Sequence, residues 1–278
     1  MVGMFRTSAK RSQGTAAVVT GAGGGIGAAF ARELSARGGR VVCSDVDLSA
    51  AEAVAEELNR SGGKAIAVRC DVTRIEDVRD LAAQAQRWLG QAPTLVVNNA
   101  GVVAGGHPIG EASLEDWSWV LGINLWGVIH GCHVFVPMLR EAGCGGIINV
   151  ASASAFGATP SLPVYSVSKS AVLALSTTLA AELSGTGVRV TALCPSFVKT
   201  DIMDRGRLTA DSAEQGRRLM KLTGISPERV VRRCLTTFER GGLYCIPSLD
   251  AKFSWRLSRL APTLSARMTG VVSRSSSS

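Results

Sequence analysis

Tyr165 and Lys169 are four residues apart. On a helix that spacing puts both side chains on one face, one turn apart. A phenol in water ionises near pH ~10, and a neighbouring ammonium favours the phenolate. Such a pair is suited to moving a proton at neutral pH. Pro163 fits a first helical position, and residues 164–183 contain no Gly or further Pro, so a helix is expected there. Ser152 lies thirteen residues before Tyr165, just past the apolar run Gly146-Ile147-Ile148-Asn149-Val150. That run reads as a buried strand, and ligands of open parallel sheets bind at the carboxyl edge of the strands. Ser154, eleven residues before Tyr165, is a rival for the same place. Taken alone, a Tyr and a Lys one turn apart are also what a helix start with a solvated Lys looks like.

A second constellation lies near the amino terminus. The string Thr20-Gly21-Ala22-Gly23-Gly24-Gly25-Ile26-Gly27 follows the apolar run Ala16–Thr20 and precedes a helical pattern over 28–37. A glycine turn between a strand and a helix lets the backbone approach a pyrophosphate, and the helix amino terminus supplies unpaired N–H groups. Asp45 falls eighteen residues after Gly27, at the end of a second apolar run. An acid there accepts the adenosine ribose hydroxyls and repels a 2′-phosphate. No Lys or Arg stands in the turn or directly after Asp45, so NAD is expected over NADP.

The elements that must position these residues follow from the apolar runs. Strands are expected at 16–20, 41–45, 65–70, 94–97, 147–151, 188–194 and 243–246, and helices at 28–37, 49–61, 75–89, 114–139 and 164–183. Short continuous apolar strands alternating with helices imply a parallel sheet covered on both faces. With no internal repeat and no linker, a single domain over 1–278 is expected. Its core would span 14–248, with an amphipathic extension over 249–270 and disordered tails at 1–13 and 271–278.

Hydrophobic residues make up 46% and charged residues 19% of the 278, and the formal charge is +8. Much of the basic excess sits at the two ends, without interleaved aromatics or zinc-finger spacing, which argues against nucleic-acid binding. The seven cysteines include no Cys-x-x-Cys pair and read as reduced, buried or near-buried thiols of a cytoplasmic protein. No apolar run reads as reaching the ~18–20 residues of a membrane span, and no secretory signal is evident. His130 and His133 are three apart but lack a third ligand, so no metal site is expected. His107, in a Gly-rich loop, is a candidate pocket residue.

Together these motifs resemble the short-chain dehydrogenase/reductase family. The resemblance runs from about Thr15 to Ile246 and adds Asp71, Asn98-Asn99-Ala100-Gly101, Asn124 and Pro195 leading through Val198 to Thr200. It implies a doubly wound seven-stranded sheet of the Rossmann type, in the order 3-2-1-4-5-6-7. It implies Tyr165 as general acid/base, Lys169 as the group that lowers the Tyr165 pKa and holds the nicotinamide ribose, and Ser152 as the substrate-oxygen ligand. Asn124 would hold a water joining Lys169 to solvent. Gly21, Gly25, Ile26, Gly27, Asp45, Asp71, Val72, Asn98, Ala100, Gly101, Pro195, Val198 and Thr200 would form the rest of the cofactor site, with Asp71 and Val72 at the adenine and Asn98 steadying the central strands. Where the family usually has Pro-Gly, this chain has Pro195-Ser196. A homodimer or homotetramer built through 114–139 and 164–183 is also implied.

The expected reaction is the NAD-dependent interconversion of a secondary alcohol and a ketone. Alternatives are a 3-oxoacyl thioester reductase and a non-catalytic NAD-binding sensor or scaffold. The segment 201–224 would cover the substrate, and its Ile202, Met203, Leu208, Leu219, Met220 and Leu222 suggest a hydrophobic one, such as a steroid, terpenoid or long-chain compound. In the extension, Phe253, Leu257, Leu260, Leu264 and Met268 form one helical stripe with a basic flank, interrupted at Pro262. The stripe either packs on the protein body or rests weakly on an anionic membrane surface.

Overall fold

The computed structural model describes residues 11–157 and 159–275. The expected tails therefore lie mostly outside the described residues. Two parts of them do not. Ser12 is fully buried, its hydroxyl donates to the Glu239 carboxylate, and Arg11 donates to the Gly187 carbonyl at 2.6 Å. The body thus begins before residue 14. At the other end, helical backbone continues to Ser275 instead of stopping at 270.

Seven parallel strands form the sheet: β1 Ala16–Thr20, β2 Arg40–Asp45, β3 Lys64–Arg69, β4 Leu95–Asn98, β5 Gly145–Val150, β6 Val188–Leu193 and β7 Tyr244–Cys245. Their order is 3-2-1-4-5-6-7, as expected. The alternation of side chains along β1 shows why both faces are apolar. Ala17 and Val19 join one core with α1 (Gly25–Ala36), α2 (Leu48–Arg60) and α8 (Pro227–Glu239), around Phe30 and Phe238. Ala16 and Val18 join the other with α3 (Ile75–Leu89), α5 (Gly127–Glu141) and α6 (Pro163–Glu182), around Leu81 and Phe135.

The helix expected over 114–139 is α4 (Leu114–Leu121), a π turn at Gly122–Trp126 and α5, running continuously to Glu141. By length and apolarity alone its 28 residues would cross a bilayer, contrary to the expectation from the sequence. Its Val128, Phe135 and Leu139 are instead buried in the core against the sheet. The π turn carries Asn124, as widened turns at functional sites often do. Not anticipated were α7 (Ala210–Thr223), α8 and a two-stranded pairing of Ala104–Gly105 with Arg207–Leu208. The extension is two helices, α9 (Leu249–Leu260) and α10 (Pro262–Ser275), divided at Pro262. All seven cysteines are free, and Cys144 alone of them is exposed.

Candidate active site

The cleft opens at the carboxyl edge of β1, β4, β5 and β6 and encloses about 1580 Å³. Its floor is set by side chains that bind backbone. Thr20 Oγ1 accepts from the N–H of Asn99 (3.0 Å) and Ala100 (3.2 Å), while Asn99 Nδ2 donates to the carbonyls of Thr20 (2.9 Å) and Gly21 (3.0 Å). Asn99, to which the motif alone assigns no role, thus fastens the loop after β4 to the glycine turn. Gly21 and Gly25 have φ of +64° and +53°. A Cβ on Gly27 would lie 2.0 Å from the Gly21 carbonyl oxygen, so α1 packs on the turn only because residue 27 is glycine. Gly27 therefore shapes the site without lining it. Helix α1 starts at Gly25, earlier than expected, and no side chain caps it, which leaves its first N–H groups free for an anion.

Asp45 sits beside that turn. Its Oδ2 accepts from Gly23 N at 2.9 Å and its Oδ1 from Asp47 N at 3.1 Å, leaving lone pairs on both oxygens. The guanidinium of Arg205 comes within 3.9 Å of where a Cβ on Gly24 would stand. It adds to the hydrogen bonds from Ser49 and Ala50 that hold the Asp47 carboxyl below its usual range. Sequence reasoning missed Arg205, which arrives from a distant loop. Asp71 accepts from Thr73 N (3.0 Å) and Oγ1 (2.7 Å) and lines the cleft with Val72, Ala100 and Gly101. Asn98 does not line it. One residue before Asn99 in an extended chain, its side chain falls on the core side and donates to Asn149 at 2.9 Å.

Asn124 is fully buried on the π turn. Its Oδ1 accepts from Val102 N (2.8 Å), and its Nδ2 donates to Val102 O (2.9 Å) and Ser168 Oγ (3.1 Å). Both ends of the amide are thus engaged in holding the chain after Gly101. One turn from Tyr165 on α6, Lys169 donates to the Val150 carbonyl at 2.9 Å, with Nζ 5.8 Å from the Tyr165 ring centre. Burial draws Lys169 down to about 8. Burial also raises the Tyr165 phenol above its ordinary range, opposed by a hydrogen bond with Ser152. The Lys169 ammonium is turned toward Val150 and is not among the causes of that shift.

Ser152 meets Tyr165, and its Oγ also accepts from Ser154 N at 3.2 Å. Ser154 Oγ is buried without a partner in the same wall. Pro195, Val198 and Thr200 line the cleft between β6 and the covering segment. His107 lines it too, whereas His130 Nδ1 donates to the Val72 carbonyl at 2.9 Å. Among the described residues no three His, Cys, Asp or Glu side chains are placed to hold a metal ion. The substrate end is walled by Ile202 and Met203, by Leu219 and Met220 of α7, and by Phe253, Leu257 and Met268 of α9 and α10.

The model of the short chain dehydrogenase family matches residues 15–210. A D-threitol dehydrogenase from Mycolicibacterium smegmatis is 38% identical over 192 residues, covering 69% of this chain and 73% of that one. A 1-deoxy-11-beta-hydroxypentalenate dehydrogenase from Streptomyces exfoliatus is 37% identical over 246 residues, covering 88% and 86%. The crystal structure of a short chain dehydrogenase/reductase from Burkholderia phymatum in complex with NAD is similar at a TM-score of 0.86 and 33% identity, covering 92% and 96%.

Proposed function

The chain belongs to the short chain dehydrogenase family and is an oxidoreductase acting on CH–OH groups, and on that premise we propose that it interconverts a secondary alcohol and a ketone with NAD. The observation that carries this reading is the convergence of Ser152, Tyr165 and Lys169 on one cleft whose other end is an uncapped helix amino terminus beside Asp45. The cradle formed by Gly21, Gly25 and Gly27, where a side chain at 27 would strike backbone, fits a pyrophosphate. NAD, when bound, supplies hydride acceptance from the carbinol carbon.

The chain's residues do the rest. Ser152 donates to the substrate oxygen and orients it. Tyr165 takes the hydroxyl proton in oxidation and returns it in reduction. Lys169, protonated below about pH 8, holds the ribose and makes the phenolate accessible once a hydroxylated ligand draws it toward the cleft. Asn124 keeps Gly101 and Val102 in place behind the cofactor. Asp45 would accept the ribose hydroxyls, Arg205 would lie on the pyrophosphate side, and Asp71 and Val72 would border the adenine. Binding both reactants in register supplies much of the rate.

The apolar walls at α7, α9 and α10 support a hydrophobic alcohol or ketone, as does the hydroxypentalenate named for one relative; the tetritol named for another does not. The exposed Leu114, Trp126 and Val167 on α4–α5 and α6 support a homodimer or homotetramer, and a cytoplasmic location accompanies the reading. A panel of short, polar and bulky alcohols, run with NAD and NADP while following reduced cofactor, tests it. Turnover of bulky secondary alcohols with NAD is expected, from a species whose light-scattering mass is a multiple of 29.0 kDa. Preference for small polar alcohols would refute the apolar substrate, and preference for NADP would refute the reading of Asp45.

A further inference from the structure

We propose that the helix pair α9–α10 is the outer wall of the substrate cleft, held there by a pin between Ser196 and Asp250, and that it selects for the apolar body of the substrate. This rests on the dehydrogenase reading above for the identity of the ligand, though not for the pin itself. The family match ends at residue 210, so these helices lie well outside it.

Ser196 stands on the loop between β6 and Thr200, where the family resemblance expects glycine. Its Oγ donates to Asp250 Oδ2 at 2.6 Å. Asp250 is in the first turn of α9, where a carboxylate is favoured. Burial raises its pKa, but the hydrogen bond from Ser196 helps bring it below the ordinary value, so the pin is charge-assisted. Glycine at 196 would remove the donor.

Two further attachments tie α9 to the catalytic elements. Trp255 packs edge-on against Phe156, in the loop that follows Ser152, and against Tyr244 of β7, with ring centres 6.4 and 6.3 Å apart. Tyr244 in turn shares a 2.8 Å hydrogen bond with Thr177 of α6. Helix α10 folds back so that Ser265 is buried. The same cleft that holds Ser152 and Tyr165 is lined by Phe253, Leu257 and Met268, facing Leu219 and Met220 of α7. Phe253 is 66% exposed, an aromatic ring at the mouth of a cleft that a bulky apolar substrate would cover. Because Ser196 lies on the loop with Pro195, Val198 and Thr200 and Asp250 lies in the wall, one hydrogen bond joins the proposed cofactor side of the cleft to its substrate side.

The test uses the full chain with Ser196→Gly, Asp250→Asn, Phe253→Ala and the hydroxyl-retaining Ser196→Thr. Steady-state oxidation of 2-octanol and 2-butanol is measured with NAD. The KM for 2-octanol should rise about tenfold more than that for 2-butanol in the first three variants, and Ser196→Thr should keep the wild-type ratio. Equal changes for both alcohols, or none, would overturn the selective wall. Hydrogen exchange gives a readout that needs no turnover. Saturating NAD should slow the amides of 250–257 about fivefold in the wild type and not in Ser196→Gly. Equal protection in both would overturn the pin, and protection by anionic vesicles in place of 2-octanol would overturn the wall in favour of a membrane-facing helix. Should the wild type oxidise neither alcohol, the dehydrogenase reading fails while the exchange result still decides the pin.

Discussion

The inner and outer halves of the cleft are built on opposite principles. The inner half, around β1, β4 and β5, is buried, and its polar side chains spend their hydrogen bonds on backbone: Asn99 on the glycine turn, Asn124 on Val102, Lys169 on Val150. In the outer half, 201–223 is fastened by exposed ion pairs such as Arg207 with Glu115 and Asp116, and Arg217 with Asp204 and Glu214, and α9 by the Ser196–Asp250 hydrogen bond and the ring contacts of Trp255. Exposed pairs of this kind contribute about 0–1 kcal/mol each. The difference teaches that the proposed reacting groups are positioned by the fold itself, whereas the proposed substrate walls are held mainly by weaker contacts near the surface.

The sharpest way to break the comparison is at Lys169, where stability and chemistry oppose each other. Lys169→Met should lower kcat/KM by about a thousandfold, since general acid–base assistance contributes ~10²–10⁴-fold. It should also stabilise the fold. The pKa of Lys169 falls from 10.5 to about 8 in the folded protein, so the unfolded chain binds more protons between those values and wild-type stability rises with pH across that window. Below about pH 8 the buried charge costs the most, on the order of 3 kcal/mol from the shift. Thermal unfolding at pH 7 should therefore show the variant above the wild type, and at pH 10.5 the gap should shrink. A variant less stable than wild type at pH 7 would show that the ammonium contributes to the inner half's stability.

Effects at the rim should be smaller. Asp45→Ala with Val46→Arg should weaken NAD about tenfold and admit NADP, because it removes the hydroxyl acceptor and adds a phosphate partner. Arg205→Ala should weaken NAD and NADP by a similar severalfold factor in calorimetric titrations, and the loss should fade at high salt. A loss confined to NADP would move Arg205 from the pyrophosphate to the 2′-phosphate.

The same division governs what the sequence disclosed. The strands, the glycine turn and the Tyr165–Lys169 spacing are legible because buried parallel strands are continuous apolar runs and a glycine turn has a fixed place between strand and helix, while the strand order follows only from the family resemblance. Asn98 is expected to steady the central strands, and its hydrogen bond to Asn149 joins two of them, whereas strand alternation gives the cleft edge to Asn99, which the motif alone does not single out. Arg205 and the Ser196–Asp250 contact depend on which loops the topology folds over the cleft, and no local spacing encodes that. The desolvation that raises Tyr165 is not legible either, because the spacing gives proximity to Lys169 but not the depth of burial.

Tyr165→Phe tests the proposed chemistry most directly, since it removes one oxygen from the inner half and leaves the ring. Reduced-cofactor formation from a bulky secondary alcohol is measured alongside NAD affinity by calorimetry. The expected result is at least a hundredfold loss of kcat with the NAD dissociation constant changed less than about threefold. Near-normal turnover by the variant would show that the proton moves elsewhere and would contradict the assignment of Tyr165.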